Sequence, residues 1–423
     1  MKNVNIALIG LGTVGSGVYK TIALQKANIE HKEGISLNLK KVLALEYAID
    51  IPDELKAKDF YTDIVQDPDI DIVIELIGGI NPAKEFVLAA LNAGKTVVTA
   101  NKELLARFWP ELNSAAKKSG AGLYFEASVG GGIPILRTIW DSLQANEITS
   151  VMGIINGTTN YILSKMEQDK ASYEAVLEEA QQLGIAEANP KNDVEGFDAM
   201  YKLSILSSMA FHARVPVEYI YREGIVGITQ EDIAYGSELG YTVKLLAIGK
   251  KRGKTIEARV HPTMIPKTHP LASVRGAFNA IYLHGNIVDD IMLYGRGAGD
   301  MPTASAVISD VVYAAGRNEH RYTTFYNEDA VSSELSFENN WESEFFLRII
   351  VQDSPGVLAK IANVFGQHKV SVASVMQKGQ SGESVPLIFV THKAKEISVK
   401  RAVDDISYIP EVISVANTIR VEN

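Results

Sequence analysis

One glycine-rich turn narrows the folds open to this chain more than any other feature. Gly10-Leu11-Gly12-Thr13-Val14-Gly15 follows an apolar run, Val4-Asn5-Ile6-Ala7-Leu8-Ile9, and opens a helical stretch predicted from residue 16 to about 27. At such a strand-to-helix junction the first glycine permits a tight turn and the second lets the backbone approach a pyrophosphate. The third lets the helix pack closely on the sheet. Phosphates placed there meet the N–H groups of the first helical turn, which Thr13 and Val14 supply, and the positive end of the helix dipole. Without a ligand the same residues would form a plain connecting turn.

The neighbouring pattern favours a dinucleotide fold. Strands are predicted at 39–45, 70–76 and 96–99, and helices at 83–92 and 103–119. Nearly continuous apolar strands alternating with helices imply an α/β, Rossmann-type, doubly wound parallel sheet. We assign it residues 1–130, together with about 300–327, because a small-residue helix at 303–316 is expected to pack back on it. After Val129-Gly130-Gly131-Gly132-Ile133-Pro134 the character changes. Helices at 159–168, 173–183 and 199–213 and strands at 257–264, 280–283 and 290–294 predict an α+β domain for catalysis and dimerisation, over 131–299. A polar, acidic stretch at 328–344 reads as a linker, and 345–423 reads as a ferredoxin-like βαββαβ unit.

Composition removes several function classes. A net charge of −10 over 423 residues argues against nucleic-acid or membrane partners. Cysteine is absent, which excludes disulfides, thiolate metal sites and a cysteine nucleophile. With no signal-like segment and no run of about 18 apolar residues, a cytoplasmic protein is expected.

Cofactor choice turns on the end of the second strand, where an acid binds a ribose 2′-OH and an arginine binds a 2′-phosphate. Ala44-Leu45-Glu46-Tyr47 offers Glu46 and no arginine, which favours NAD; Lys40 and Lys41 keep NADP open. Thr99-Ala100-Asn101-Lys102 follows a strand at the carboxyl edge, where ligands bind such sheets. There Lys102 can reach a carbonyl oxygen or a phosphate with its three donors.

The densest chemistry lies from Gly184 to Lys202. Asp198 and Lys202 are four apart and share a helix face. A carboxylate holding an ammonium suits an acid that protonates a developing alkoxide, although on spacing alone this is an ordinary helical ion pair. Glu187, Asp193 and Glu195 make the neighbourhood anionic, as a substrate ammonium would require. Asn156-Gly157-Thr158-Thr159-Asn160 starts a helix whose N–H groups either bind a carboxylate or are simply capped. Glu126 and the carbonyls of the following glycine-rich bend offer hard oxygen ligands, or a mere hinge. Gly295-Arg296-Gly297-Ala298-Gly299 allows close backbone approach.

Together these motifs resemble the homoserine dehydrogenase family from Gly10 to about Gly316, and Asp353-Ser354-Pro355-Gly356-Val357-Leu358-Ala359 resembles the opening of an ACT domain. The resemblance implies reversible NAD- or NADP-dependent reduction of L-aspartate 4-semialdehyde to L-homoserine, on the route to threonine and methionine. It places catalytic roles on Lys202, Lys102 and Asp198, and substrate contacts on Glu187, Asp193 and Thr158, with Asp198 and Lys202. Cofactor contacts fall on Gly10, Gly12, Thr13, Val14, Gly15, Glu46, Thr99, Lys102, Gly184 and Gly299. A structural sodium ion is implied at Glu126, Val129, Gly131 and Ile133. A homodimer or homotetramer, and L-threonine binding at the ACT domain, complete what it implies. One departure bears on NADP: many family members carry a basic residue near Leu45, and this chain does not.

Overall fold

The structure, a computed structural model, describes residues 1–317, 319–326, 334–377 and 384–423. Its first sheet is parallel throughout, in the order β2-β1-β3-β4-β5, with β1 at Lys2–Ile9, β2 at Ile35–Leu43, β3 at Ile72–Glu75, β4 at Thr96–Thr99 and β5 at Leu123–Tyr124. The central strands β3 and β4 are buried at every position, which is why, Glu75 apart, they read as Val, Ile and Thr without alternation. Helices α1 (Thr13–Glu33), α2 (Ala83–Asn92) and α3 (Lys102–Ser119) connect them.

Boundaries moved where punctuation was faint. Helix α1 runs six residues past its expected end, to a left-handed Gly34 at φ 67°, so β2 begins and ends earlier than the 39–45 predicted. The returning helix, Asp300–Ala315, packs along α1 as expected. The contact is close because Gly17 lacks a side chain: a Cβ there would lie 2.5 Å from the Asp300 carbonyl oxygen.

A second, mixed sheet carries the chain between these elements. Its strands include Ile148–Ile154, Tyr241–Arg252, Thr255–Pro266, Phe278–Gly285 and Asp289–Arg296. The first two were not predicted. Polar residues and Gly153 break the pattern of one, and the other buries Lys244 inside an apolar run. Long helices Gly157–Asp169, Tyr173–Gln182 and Phe197–Phe211 accompany this sheet.

The C-terminal unit is βαββαβ as predicted, and its last strand, Val412–Val421, has the bounds read from sequence. It is also fused to the second sheet. Arg420 and Val421 pair in parallel with Thr263 and Met264 of strand Thr255–Pro266, making one continuous sheet. Charged side chains surround the seam. Arg420 donates to Glu223, Glu396 and the Tyr221 hydroxyl, while Arg259, fully buried, pairs with Glu257 and Glu422. Of the stretch read as a linker, residues 328–333 lie outside the described residues. Within the rest, Ser336–Phe337 pairs with Thr255 and Ile256, and Trp341 is buried against His261. Among the described residues no helix is long and apolar enough to cross a membrane.

Candidate active site

The carboxyl edge of the first sheet assembles the site. Gly10 follows β1 with φ 92°, a left-handed conformation that favours glycine, and a Cβ there would lie 2.6 Å from the Leu76 carbonyl oxygen. A Cβ on Gly15 would lie 2.0 Å from the Gly10 oxygen, so the third glycine serves the turn itself as much as helix-to-sheet packing. Gly12 has open space around it, and it caps α1 without any side chain while Thr13 stands exposed and Val14 half-buried. The turn is therefore an open cradle of backbone at a helix N-terminus, and it fits a dinucleotide pyrophosphate.

Beside it, α3 starts at Lys102 because the Asn101 side chain accepts from Leu104 N at 3.1 Å as N-cap. Across the cleft, Gly196 (φ 82°) turns the chain into the helix Phe197–Phe211, whose first turns carry Asp198 and Lys202. Lys202 Nζ donates to Asp198 Oδ2 at 2.7 Å and to the Ile155 carbonyl at 2.8 Å, while Lys102 Nζ lies 3.0 Å from Asp198 Oδ1. One carboxylate thus holds two ammonium groups from different domains. Burial pushes Asp198 up, but the charges of Lys202 and Lys102 and the bonds from Lys202 and Asn156 outweigh it and hold the carboxyl well below its ordinary range. Asp198 in turn raises Lys102 against the opposing effect of burial.

Asn156 was read from sequence only as part of a helix start. Its Nδ2 donates to Asp193 Oδ1 at 2.7 Å and to Asp198 Oδ2 at 2.8 Å, while its Oδ1 accepts from Thr159 N at 2.9 Å. The side chain both caps the helix and bridges two carboxylates. Asp193 is raised by burial and by the nearby Asp198.

A cleft of about 260 Å³ is bordered by Gly78, Gly79, Lys102, Glu187, Asp193 and Asp198. Lys202, bonded to the same Asp198, does not border it. A larger groove of 640 Å³ between α1 and Asp300–Ala315 contains none of the predicted site residues.

The remaining predicted residues are placed as follows. The Thr99 hydroxyl is fully buried and donates to Glu75 Oε2 at 2.7 Å, so it supports the edge from beneath. Thr158 is buried and donates to the Ile185 carbonyl at 3.0 Å. Gly184 closes the helix Tyr173–Gln182 at φ 69°, and Gly299 opens Asp300–Ala315 at φ 118°; neither borders the cleft. Glu46 is exposed just beyond β2, whereas Lys40 is drawn to Asp69 at 2.9 Å and Lys41 to the Glu54 carbonyl at 3.1 Å. Two residues at the edge escaped the sequence reading: Glu75, at the end of β3, and Gly79, whose carbonyl accepts from Asn101 Nδ2 at 2.6 Å.

The glycine-rich bend lies apart from the cleft. Buried Glu126 accepts from Leu136 N at 2.9 Å and Arg137 N at 2.6 Å; burial, then the nearby Asp310, pushes its carboxyl up to about 7. Gly131, at φ 55°, lies so close to Gly297 that a Cβ would be 2.4 Å from its carbonyl oxygen, and the Ile133 oxygen accepts from Ile135 N at 2.8 Å. Among the described residues no group of three or more His, Cys, Asp or Glu side chains is arranged for a metal ion. A buried carboxylate beside a bend of main-chain carbonyls offers hard oxygen donors, which suit a monovalent or divalent cation rather than zinc.

Comparison with known proteins shows the family. A profile described as homoserine dehydrogenase matches residues 134–312, its NAD binding domain matches 10–126, and an ACT domain matches 345–411. Homoserine dehydrogenase of Bacillus subtilis is 43% identical over 434 residues, covering 100% of this chain and 99% of the relative. The crystal structure of a homoserine dehydrogenase from Thiobacillus denitrificans superposes with a TM-score of 0.93 at 38% identity, covering 100% of this chain and 99% of the other. A hyperthermophilic archaeal homoserine dehydrogenase in complex with NADPH matches at 28% identity and TM-score 0.64, covering 74% of this chain and 97% of the other.

Proposed function

The chain belongs to the homoserine dehydrogenase family, and from that premise we propose that its cleft interconverts L-aspartate 4-semialdehyde and L-homoserine with NAD or NADP. The observation that carries the reading is Asp198 held between Lys102 and Lys202 at the carboxyl edge of a dinucleotide-binding sheet. Lys202 protonates the carbonyl oxygen as negative charge grows there, and Lys102 stabilises the same charge from the other side. Asp198 holds both amines close. One positioned proton transfer contributes about 10²–10⁴ in rate, and a fixed pair of cations in a shielded cleft contributes at least comparably. Glu187 and Asp193 bind the substrate ammonium, and Thr158 stands near its carboxylate.

The dinucleotide, when bound, supplies or accepts the hydride. Its pyrophosphate would be held by Gly10, Gly12, Thr13, Val14 and Gly15, with Gly184, Gly299, Thr99 and Lys102 as further contacts. Glu46 would take the ribose, which favours NAD; engagement of Lys40 and Lys41 elsewhere supports that preference. A sodium ion at Glu126, Val129, Gly131 and Ile133 would relieve a buried carboxylate and brace the bend, away from the chemistry. In this reading the enzyme works before threonine and methionine, in the cytoplasm, as a homodimer or homotetramer. L-Threonine bound at the ACT domain is its inhibitor.

Initial rates of homoserine oxidation with NAD and NADP, with and without threonine, test this reading. Homoserine-dependent turnover favouring NAD, slowed by threonine, is expected. Turnover driven by aspartate and not by homoserine would overturn it.

A further inference from the structure

We propose that Glu75 is a positioning residue that sets Lys102 against Asp198 by tying the 77–79 turn to the cap of α3. The proposal rests on the reading of Lys102 as part of the reacting cluster. Glu75 ends the central strand β3 and is fully buried. Its Oε1 accepts from Ile77 N at 2.8 Å and Gly78 N at 3.2 Å, and its Oε2 from the Thr99 hydroxyl at 2.7 Å.

All of these partners are neutral donors. The main-chain N–H groups can only donate. The Thr99 oxygen already accepts from Asn101 N at 2.9 Å, which leaves its proton for Glu75. Three donors converge on the two carboxyl oxygens, and they only partly oppose the burial that pushes its carboxyl up. A neutral side chain of the same shape cannot satisfy the set, because a glutamine NH₂ would oppose either the two main-chain donors or the Thr99 hydroxyl.

The network joins two pieces of the site. One is the turn of Gly78 and Gly79, both at positive φ, which borders the cleft directly after the Leu76 carbonyl that touches Gly10. The other is Asn101, which caps α3 one residue before Lys102 and also donates to the Gly79 carbonyl. A shift of about 1 Å in such a support can cost roughly 10²-fold in rate.

Glu75→Gln and Thr99→Val test this. Each is assayed for homoserine turnover, and the Lys102 amine is followed by NMR after ¹³C-methylation, assigned through Lys102→Arg. The expected result is a kcat lowered about tenfold or more, with Lys102 titration falling back toward 10.5. Thr99→Val, which removes one hydroxyl, carries the test if Glu75→Gln does not fold. An unmoved Lys102 titration overturns the proposal, whatever happens to rate or thermal stability. A shifted titration with unchanged turnover upholds the positioning and removes Lys102 from the reaction, a failure of the underlying reading instead.

Discussion

Lys102 and Lys202 hold opposite oxygens of one carboxylate: Asp198 Oδ1 is 3.0 Å from the first amine and Oδ2 is 2.7 Å from the second. The amines come from α3 and from the helix Phe197–Phe211, so the cluster joins elements far apart in sequence.

The Lys102–Asp198 pair should hold one charge state over a wide pH range. Asp198 has a lowered folded pKa, so its stabilisation is present above the ordinary carboxylate range and is lost only as pH falls through the depressed value. Lys102 has a raised pKa, so its contribution is complete below 10.5 and lost as pH rises through the folded value. The difference in thermal stability between wild type and Asp198→Asn should therefore be flat from about pH 5 to 9. A difference that changes steadily across that window would contradict the assigned shifts.

Asn156→Ala should do double damage. Loss of the cap costs about 0.5–2 kcal/mol of stability, and Asp193 and Asp198 lose their shared donor. Lost bonds to charged groups of about 1.5–3 kcal/mol correspond to roughly ten- to a hundredfold in KM for homoserine. Steady-state kinetics beside a melting curve separates the two effects, and an unchanged KM would remove the bridge from substrate binding.

Replacing Glu46 by arginine should move cofactor preference. Loss of the ribose acceptor and gain of a partner for a 2′-phosphate should raise the NADP-to-NAD ratio of kcat/KM about tenfold or more. An unaltered ratio would show that Glu46, exposed beyond β2, lies outside the adenosine site.

Arg420→Met should loosen the seam between the C-terminal domain and the second sheet. Arg420 is buried among Glu223, Glu396 and Tyr221. Removing one partner of such a network costs about 3–5 kcal/mol. Denaturant unfolding should shift to lower concentration, with the C-terminal domain separating as an earlier transition. A single unchanged transition would mean that the strand pairing alone carries the seam.

Local features of this molecule were legible in sequence and long-range ones were not. The glycine turn, the strand edge at Lys102 and the Asp198–Lys202 spacing each obey a short-range rule, and the structure brings Lys102 and Asp198 to one cleft. Strand Tyr241–Arg252 was missed because buried Lys244, bonded to Asn160 Oδ1 and the Val274 carbonyl, interrupts its apolar pattern with a charge whose partners lie far along the chain. Glu75 was not singled out, since nothing nearby in sequence announces Thr99 as its partner. The fusion at Arg420 and Thr263 depends on two surfaces meeting, which no window of residues encodes.

The most direct measurement of the central claim is homoserine oxidation by Lys202→Ala, with dinucleotide affinity determined separately by fluorescence titration. If Lys202 gives and takes the proton while Asp198 holds it, turnover falls at least about a hundredfold and dinucleotide affinity stays nearly unchanged. Turnover within about threefold of wild type would contradict the account, because one positioned proton transfer is worth far more than that.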